Sequence, residues 1–305
     1  GSSTTEVALA RIRQLAAHEV GHTLGFAHNF AASTFGDRAS VMDYPPPRVK
    51  ITDGEIDLSD AYAVGIGAWD RFTVAYAYSQ FPPDEEQSAL DRLVAQSIEG
   101  NMRYVTDADA RSAGAAHPLG NLWDDGSDPV TGLRHAMLVR RIALSKFSSS
   151  ALANGRPMAE LEKIFAPLYL HHRYQVDAAA KLIGGVDYTY AVKADGQVPL
   201  TPVPPARQRA ALAELLGTLQ PDVLVIPQSI LDLLSPRVVD SATDRERFAS
   251  QTAPLFDAVA AMRAAADLTL ANLLQPQRVS RLAGLHAEEW GLASLLDAIM
   301  HQGFQ

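Results

Sequence analysis

Along most of the chain the apolar positions recur at helical spacing, carried mainly by alanine and leucine. The first such stretch runs from Glu6 to about Leu24, with Thr4 or Thr5 placed to cap it. Residues 30–57 break the pattern with Gly36, Pro45-Pro46-Pro47 and Asp53-Gly54, and read as loop. Residues 58–80 suit a buried helix or two. Phe81-Pro82-Pro83 then punctuates the chain and marks a boundary between residues 1–83 and 84–305. Asp84-Glu85-Glu86 opens a helix reaching about Glu99, and residues 101–129 read as irregular. Further helices are predicted near 130–147, 157–183, 206–219, 228–234, 244–274, 277–287 and 291–301, with Pro221, Pro236 and Pro276 between pieces. One strand signal interrupts them: Tyr188–Val192 and Val198–Val203 flank Asp195-Gly196, which predicts a hairpin. The expected fold class is mainly α with at most a short β-hairpin, and no repeat of fixed period is present.

Composition narrows the function. Of 305 residues, 47% are hydrophobic, enough to bury a real core. The net charge of -9 and the lack of a basic block argue against a nucleic-acid partner. There is no cysteine, which excludes disulfides, cysteine nucleophiles and thiolate metal sites. No uninterrupted apolar run is long enough to span a bilayer. The residues before the first helix lack the charged and apolar regions of a signal peptide, and the chain reads as a segment of a longer protein.

The chemistry concentrates in His18-Glu19-Val20-Gly21-His22-Thr23-Leu24-Gly25-Phe26-Ala27-His28. Residues four apart share a helix face, so His18 and His22 present two imidazoles to one metal ion. Glu19 follows the first ligand and is free to act on a water at the metal. A continued helix would carry His28 roughly 9 Å past His22. Zinc–nitrogen bonds are only about 2.0–2.1 Å, so the chain must reverse for His28 to join. Gly25 sits where that reversal is needed, and glycine tolerates the positive φ it demands. The implied cofactor is one catalytic zinc ion.

This HExxHxxGxxH pattern resembles the metzincin clan of zinc endopeptidases. Ser40-Val41-Met42-Asp43-Tyr44-Pro45 resembles that clan's Met-turn. By this resemblance Met42 packs beneath the three imidazoles without binding metal. Tyr44 either reaches the metal site and hydrogen-bonds the transition state, as in the astacin and serralysin branches, or packs under it. The wider chain resembles a bacterial family of zinc-dependent metalloproteases whose C-terminal part is called a Met-zincin domain. The matching stretches include Ser40–Pro47, Ile66–Tyr78, Asn121–Val130, Tyr169–Tyr190 and the helical tail. The resemblance implies the active-site helix and Met-turn of a metzincin lower subdomain, followed by a large helical extension. The clan's sheet is then expected in an N-terminal part of the parent protein, leaving an apolar face of the first helix uncovered. Periplasmic or extracellular export is expected on the same ground.

The implied reaction is peptide-bond hydrolysis with Glu19 as general base. Two alternatives stand beside it: a zinc-stabilised binding or structural module that does not cut, and a zinc hydrolase of a non-protein amide. Asp43, Asn29 and backbone carbonyls are candidates to hold the imidazoles in place. Asp107, Asp109, Asp124, Asp125 and Asp128 offer oxygen donors of the kind calcium takes, although their spacing does not match an EF-hand loop. His171 and His172 are adjacent, so they point apart on a helix. His117, His135, His286 and His301 stand alone.

Overall fold

The fold is that of a computed structural model describing residues 4–237, 247–285 and 290–302. His286 lies outside the described residues. The first helix, α1 (Thr4–Thr23), is followed by an irregular stretch and a small hairpin, β1 (Lys50–Thr52) and β2 (Glu55–Asp57). Then come α2 (Ala68–Tyr78), α3 (Glu86–Glu99), the one-turn α4 (Asp107–Ala110) and α5 (Pro129–Ser145). Helices α6 (Leu161–Tyr169) and α7 (Arg173–Ala180) lead to a second hairpin, β3 (Val186–Tyr188) and β4 (Leu200–Pro202). The chain continues through α8 (Pro205–Gly217), α9 (Pro221–Leu224) and α10 (Gln228–Leu231). It ends with α11 (Ala258–Leu273), α12 (Pro276–Leu285) and α13 (Leu292–Gln302). The molecule is mainly helical, and its strands among the described residues make two antiparallel pairs.

Where structure and sequence reading differ, local chemistry supplies the reason. Residues 50–57 form a hairpin rather than loop, pairing Ile51 with Ile56 around Asp53-Gly54, both at positive φ. Its strands are too short to display alternation. In the second hairpin the first strand is shifted toward the N-terminus and the second falls within 198–203, with Val186 opposite Pro202, because Asp195 accepts from the backbone of Val192 and Gln197 and holds a wider loop. Residues 58–67 are irregular, and helix begins at Ala68. The stretch 157–183 is two short helices, with Pro167 near the end of the first. The first positions of the helix expected over 244–274 lie outside the described residues; α11 begins at Ala258, where Asp257 caps it by accepting from the Ala260 N–H at 2.9 Å.

Two apolar clusters fill the downstream helices. One joins α5, α7, α8, α11, α12 and α13 through Leu133, Val176, Ile183, Leu215, Leu273, Leu282 and Leu295. The other gathers Leu161, Phe165, Tyr169, Ile230 and Phe248. A third, smaller cluster of Phe30, Ala31, Val105 and Ala110 borders the histidines, with Tyr44, Leu119 and Leu122 against it. No single described helix is long and apolar enough to cross a membrane.

Helix α1 is unusual. Its buried residues are Gln14, His18 and Gly21, a narrow polar stripe, while Leu9, Ile12, Leu15, Val20 and Leu24 are exposed. The face packed against the protein therefore serves the site rather than an apolar core.

The site-bearing segment 101–125 is tied down by a buried cation. Lys181, just past α7, donates from Nζ to the carbonyls of Ala110 at 3.0 Å and Gly120 at 2.6 Å, and lies 3.3 Å from Asp177. Burial pushes its pKa down, and Asp177 counters that. We expect Lys181→Met to leave two buried carbonyls unpaired and to cost about 3 kcal/mol in urea unfolding. A loss below about 0.5 kcal/mol would show that the lysine is dispensable to this anchor.

Candidate metal centre

Helix α1 ends where the ligand geometry requires it. The N–H of Gly25 bonds the carbonyl of His22 at 2.9 Å, and that of Phe26 bonds Gly21 at 3.1 Å. Together with the φ of 85° at Gly25, this is a Schellman closure. The reversal brings His28 back toward the helix. The Nε2 atoms of His18 and His22 lie 3.1 Å apart, and those of His22 and His28 3.2 Å apart.

Those distances carry chemical information. Each Nδ1 faces an acceptor: His18 the carbonyl of Val41 at 2.6 Å, His22 that of Phe26 at 2.9 Å, His28 the Asp107 carboxylate at 2.7 Å. Each Nδ1 therefore carries the proton, and three Nε2 lone pairs point at one another. Such an arrangement is repulsive unless a cation lies among them. Ligands at zinc–nitrogen bond length in a tetrahedron stand about 3.3 Å apart, close to the spacing found. The residues thus fit a zinc ion. Burial lowers the pKa of His18, the most enclosed of the three, which favours the neutral ligand form.

The turn bearing Met42 runs beneath α1. Met42 is almost wholly buried, and a Cβ on Gly21 would fall 2.2 Å from its Sδ, so glycine is what admits the thioether under the helix. Asp70 holds this turn. It accepts from Ser40 Oγ at 2.6 Å, from the Val41 N–H at 2.9 Å and from the Gly67 N–H at 2.7 Å. The Val41 carbonyl that orients His18 is fixed through that carboxylate.

Tyr44 packs beside the histidines. Its ring centre is 4.7 Å from that of His28, 5.4 Å from His18 and 5.2 Å from Trp123. The Arg111 guanidinium lies 5.2 Å from the Tyr44 ring centre and 5.3 Å from that of Phe30. Glu19 is exposed on α1, one residue beyond His18.

Of the groups that the sequence offers for orienting the imidazoles, the backbone carbonyls take that part, and Asn29 and Asp43 do other work. Asn29 is fully buried. It bonds the Met42 carbonyl from its N–H, the Arg103 carbonyl from its amide and the Val105 N–H through Oδ1, stitching the Met42 turn to residues 103–105. The five aspartates with oxygen donors suited to calcium are not gathered into one place. Asp107 meets His28, Asp109 accepts from Tyr188 and Tyr190, Asp125 pairs with Arg48, and Asp128 caps α5. The parts played by Asp70, Asp107 and Arg111 at the site cannot be read from the sequence. Each is far along the chain from the histidines, and no spacing rule links them.

Asp124 joins Asp43 instead. Both are buried. Ser33 donates its hydroxyl to Asp124 at 3.1 Å, and its backbone faces Asp43. Burial, then repulsion from Asp124, pushes the Asp43 carboxyl well up. Burial chiefly pushes Asp124 up to about 7.

Two predictions arise here. Gly25→Ala must place a side chain at positive φ, which costs about 1 kcal/mol and displaces His28. We expect weaker zinc uptake in a chelator competition, and unchanged uptake would count against the reversal. The second concerns pH. Asp124 titrates near 7 in the fold but near 3.8 when unfolded. Between those values the folded chain keeps a proton that the unfolded chain has lost, so stability falls as pH rises through the window. Below it both forms are protonated and the cost vanishes. The urea midpoint of metal-free protein should fall from about pH 4 to 7 as the buried pair Asp43 and Asp124 ionises, and Asp124→Asn should make that fall shallower, with Asp43 supplying the remainder. An equal fall in the variant would assign it to other groups.

Comparison with known proteins agrees with this geometry. A family model described as Met-zincin matches residues 2–305. No curated protein and no solved structure matches the chain. The match spans nearly the whole length and includes the three histidines that could hold a metal. The chain belongs to the Met-zincin family, a metzincin-clan metalloprotease-like group.

Proposed function

We propose that the chain is the metal-bearing part of a zinc-dependent endopeptidase. The observation that carries this reading is the convergence of three Nε2 lone pairs whose Nδ1 partners are already engaged. A structural zinc would close its shell with a fourth protein ligand. Among the described residues the metal-capable group holds three histidines and no fourth histidine or carboxylate. A set of three histidines is the donor set of a site that keeps a position for solvent or substrate, which favours catalysis over a purely structural ion.

Zinc, when bound, supplies a Lewis acid that polarises a carbonyl and acidifies water. The chain supplies the rest. Glu19 takes the proton of the attacking water and hands it to the departing amine. Tyr44, packed beside His18 and His28, donates its hydroxyl to the developing oxyanion. Met42 fills the floor beneath α1, so that the two helical imidazoles keep one orientation. No residue needs to form a covalent bond to the substrate. Peptide as the substrate class, and export as the setting, rest on the metzincin resemblance.

The deciding measurement is cleavage of a quenched peptide by the full-length protein, with a chelator control and metal analysis. We expect Glu19→Gln to keep zinc and to lose turnover by about 100- to 10,000-fold. Undiminished cleavage would remove Glu19 from the role. Zinc uptake by wild type without cleavage of any peptide would favour the non-catalytic module. Cleavage confined to another amide would favour the non-protein hydrolase.

A further inference from the structure

The three imidazoles are not oriented alike. His18 and His22 are held by neutral backbone carbonyls that the Met42 turn and the end of α1 place beside them. His28 lies beyond the chain reversal. The acceptor that its Nδ1 meets is a carboxylate, Asp107 Oδ2 at 2.7 Å, from a segment remote in sequence. The other oxygen of Asp107 takes the Nε of Arg111, one turn along. Phe30 stacks on the His28 ring, its centre 5.1 Å away and its plane 26° from parallel, under the same Arg111 guanidinium.

We propose that Asp107 is the positioning residue of the third metal ligand, which makes α4 part of the metal centre; the proposal rests on the metal-site reading above. The chemistry has two parts. The carboxylate accepts the Nδ1 proton and so fixes the tautomer in which Nε2 is the free donor. It also brings one negative charge behind a neutral imidazole, which raises that imidazole's strength as a ligand without filling a coordination position. Arg111 locks the carboxylate rotamer, and its position over Tyr44 couples that lock to the aromatic wall of the site. A purely structural role for Asp107 would need neither the contact with His28 Nδ1 nor its pairing with a ligand ring.

The test uses the 305-residue chain, which binds or fails to bind zinc independently of peptidase activity. Zinc affinity is measured by competition with a fluorescent chelator for wild type, Asp107→Ala and Asp107→Asn. The His28 tautomer is read by 15N NMR of histidine-labelled, metal-free protein. We expect Asp107→Ala to weaken zinc binding by about 10- to 100-fold and to lose the preference for a protonated Nδ1 at His28. Asp107→Asn preserves shape and an acceptor oxygen, so it should keep the tautomer while losing roughly 3- to 10-fold in affinity. Metal-free unfolding midpoints, equal across the three proteins, separate positioning from scaffold damage; if the alanine variant does not fold, the asparagine variant decides. Zinc affinity within about twofold of wild type in the folded variants, or an unchanged His28 tautomer in Asp107→Ala, overturns the proposal and leaves the metal site standing. Absence of zinc binding by wild type overturns both.

Discussion

Three converging nitrogen lone pairs, those of His18 and His28 each within about hydrogen-bonding distance of that of His22, are the constraint around which the rest of the structure is arranged. Left alone they repel. They stay because each ring is pinned from behind, and the pins come from three different parts of the chain: the Met42 turn, the helix terminus and α4. Asp70 fixes the first of these, Gly25 the second, and the buried ammonium of Lys181 secures the segment that carries the third.

This arrangement explains an oddity of composition. An ordinary surface helix buries a stripe of leucine and exposes charge. Helix α1 reverses that pattern: its enclosed residues are glutamine, histidine and glycine, and its apolar side chains face outward. The helix is placed by polar contacts and by the close approach of Met42, rather than by apolar burial. Most of the hydrophobic stabilisation lies elsewhere, in the two clusters of the downstream helices. The part of the molecule that carries the histidine cluster is supported by a part that mainly packs.

How much of this is legible in the sequence depends on the range of each interaction. The reversal at Gly25 and the pairing of His18 with His22 are local, so residue spacing alone discloses them. Helices with strong periodicity, such as α3, α5 and α8, are readable for the same reason, with boundaries off by a residue or two. The hairpin at 50–57 escapes because three-residue strands carry no pattern, although its Asp53-Gly54 turn is visible. The partners of the site escape for a deeper reason. Asp107 sits among several aspartates of similar local appearance, and only the fold decides that it meets His28 while Asp128 caps a helix and Asp124 meets Asp43. Asp70 looks like a routine first-turn acid of α2, which it also is.

The order in which these parts occur along the chain has a consequence for biosynthesis. The histidines emerge from the ribosome well before Asp107, which aims the last of them, and Trp123, which packs on Tyr44, and the lysine that anchors that stretch comes later still. A nascent polypeptide would therefore display a metal-loving helix well before it could set the geometry of a working centre. Such a schedule keeps the centre unfinished until the downstream helices have been made.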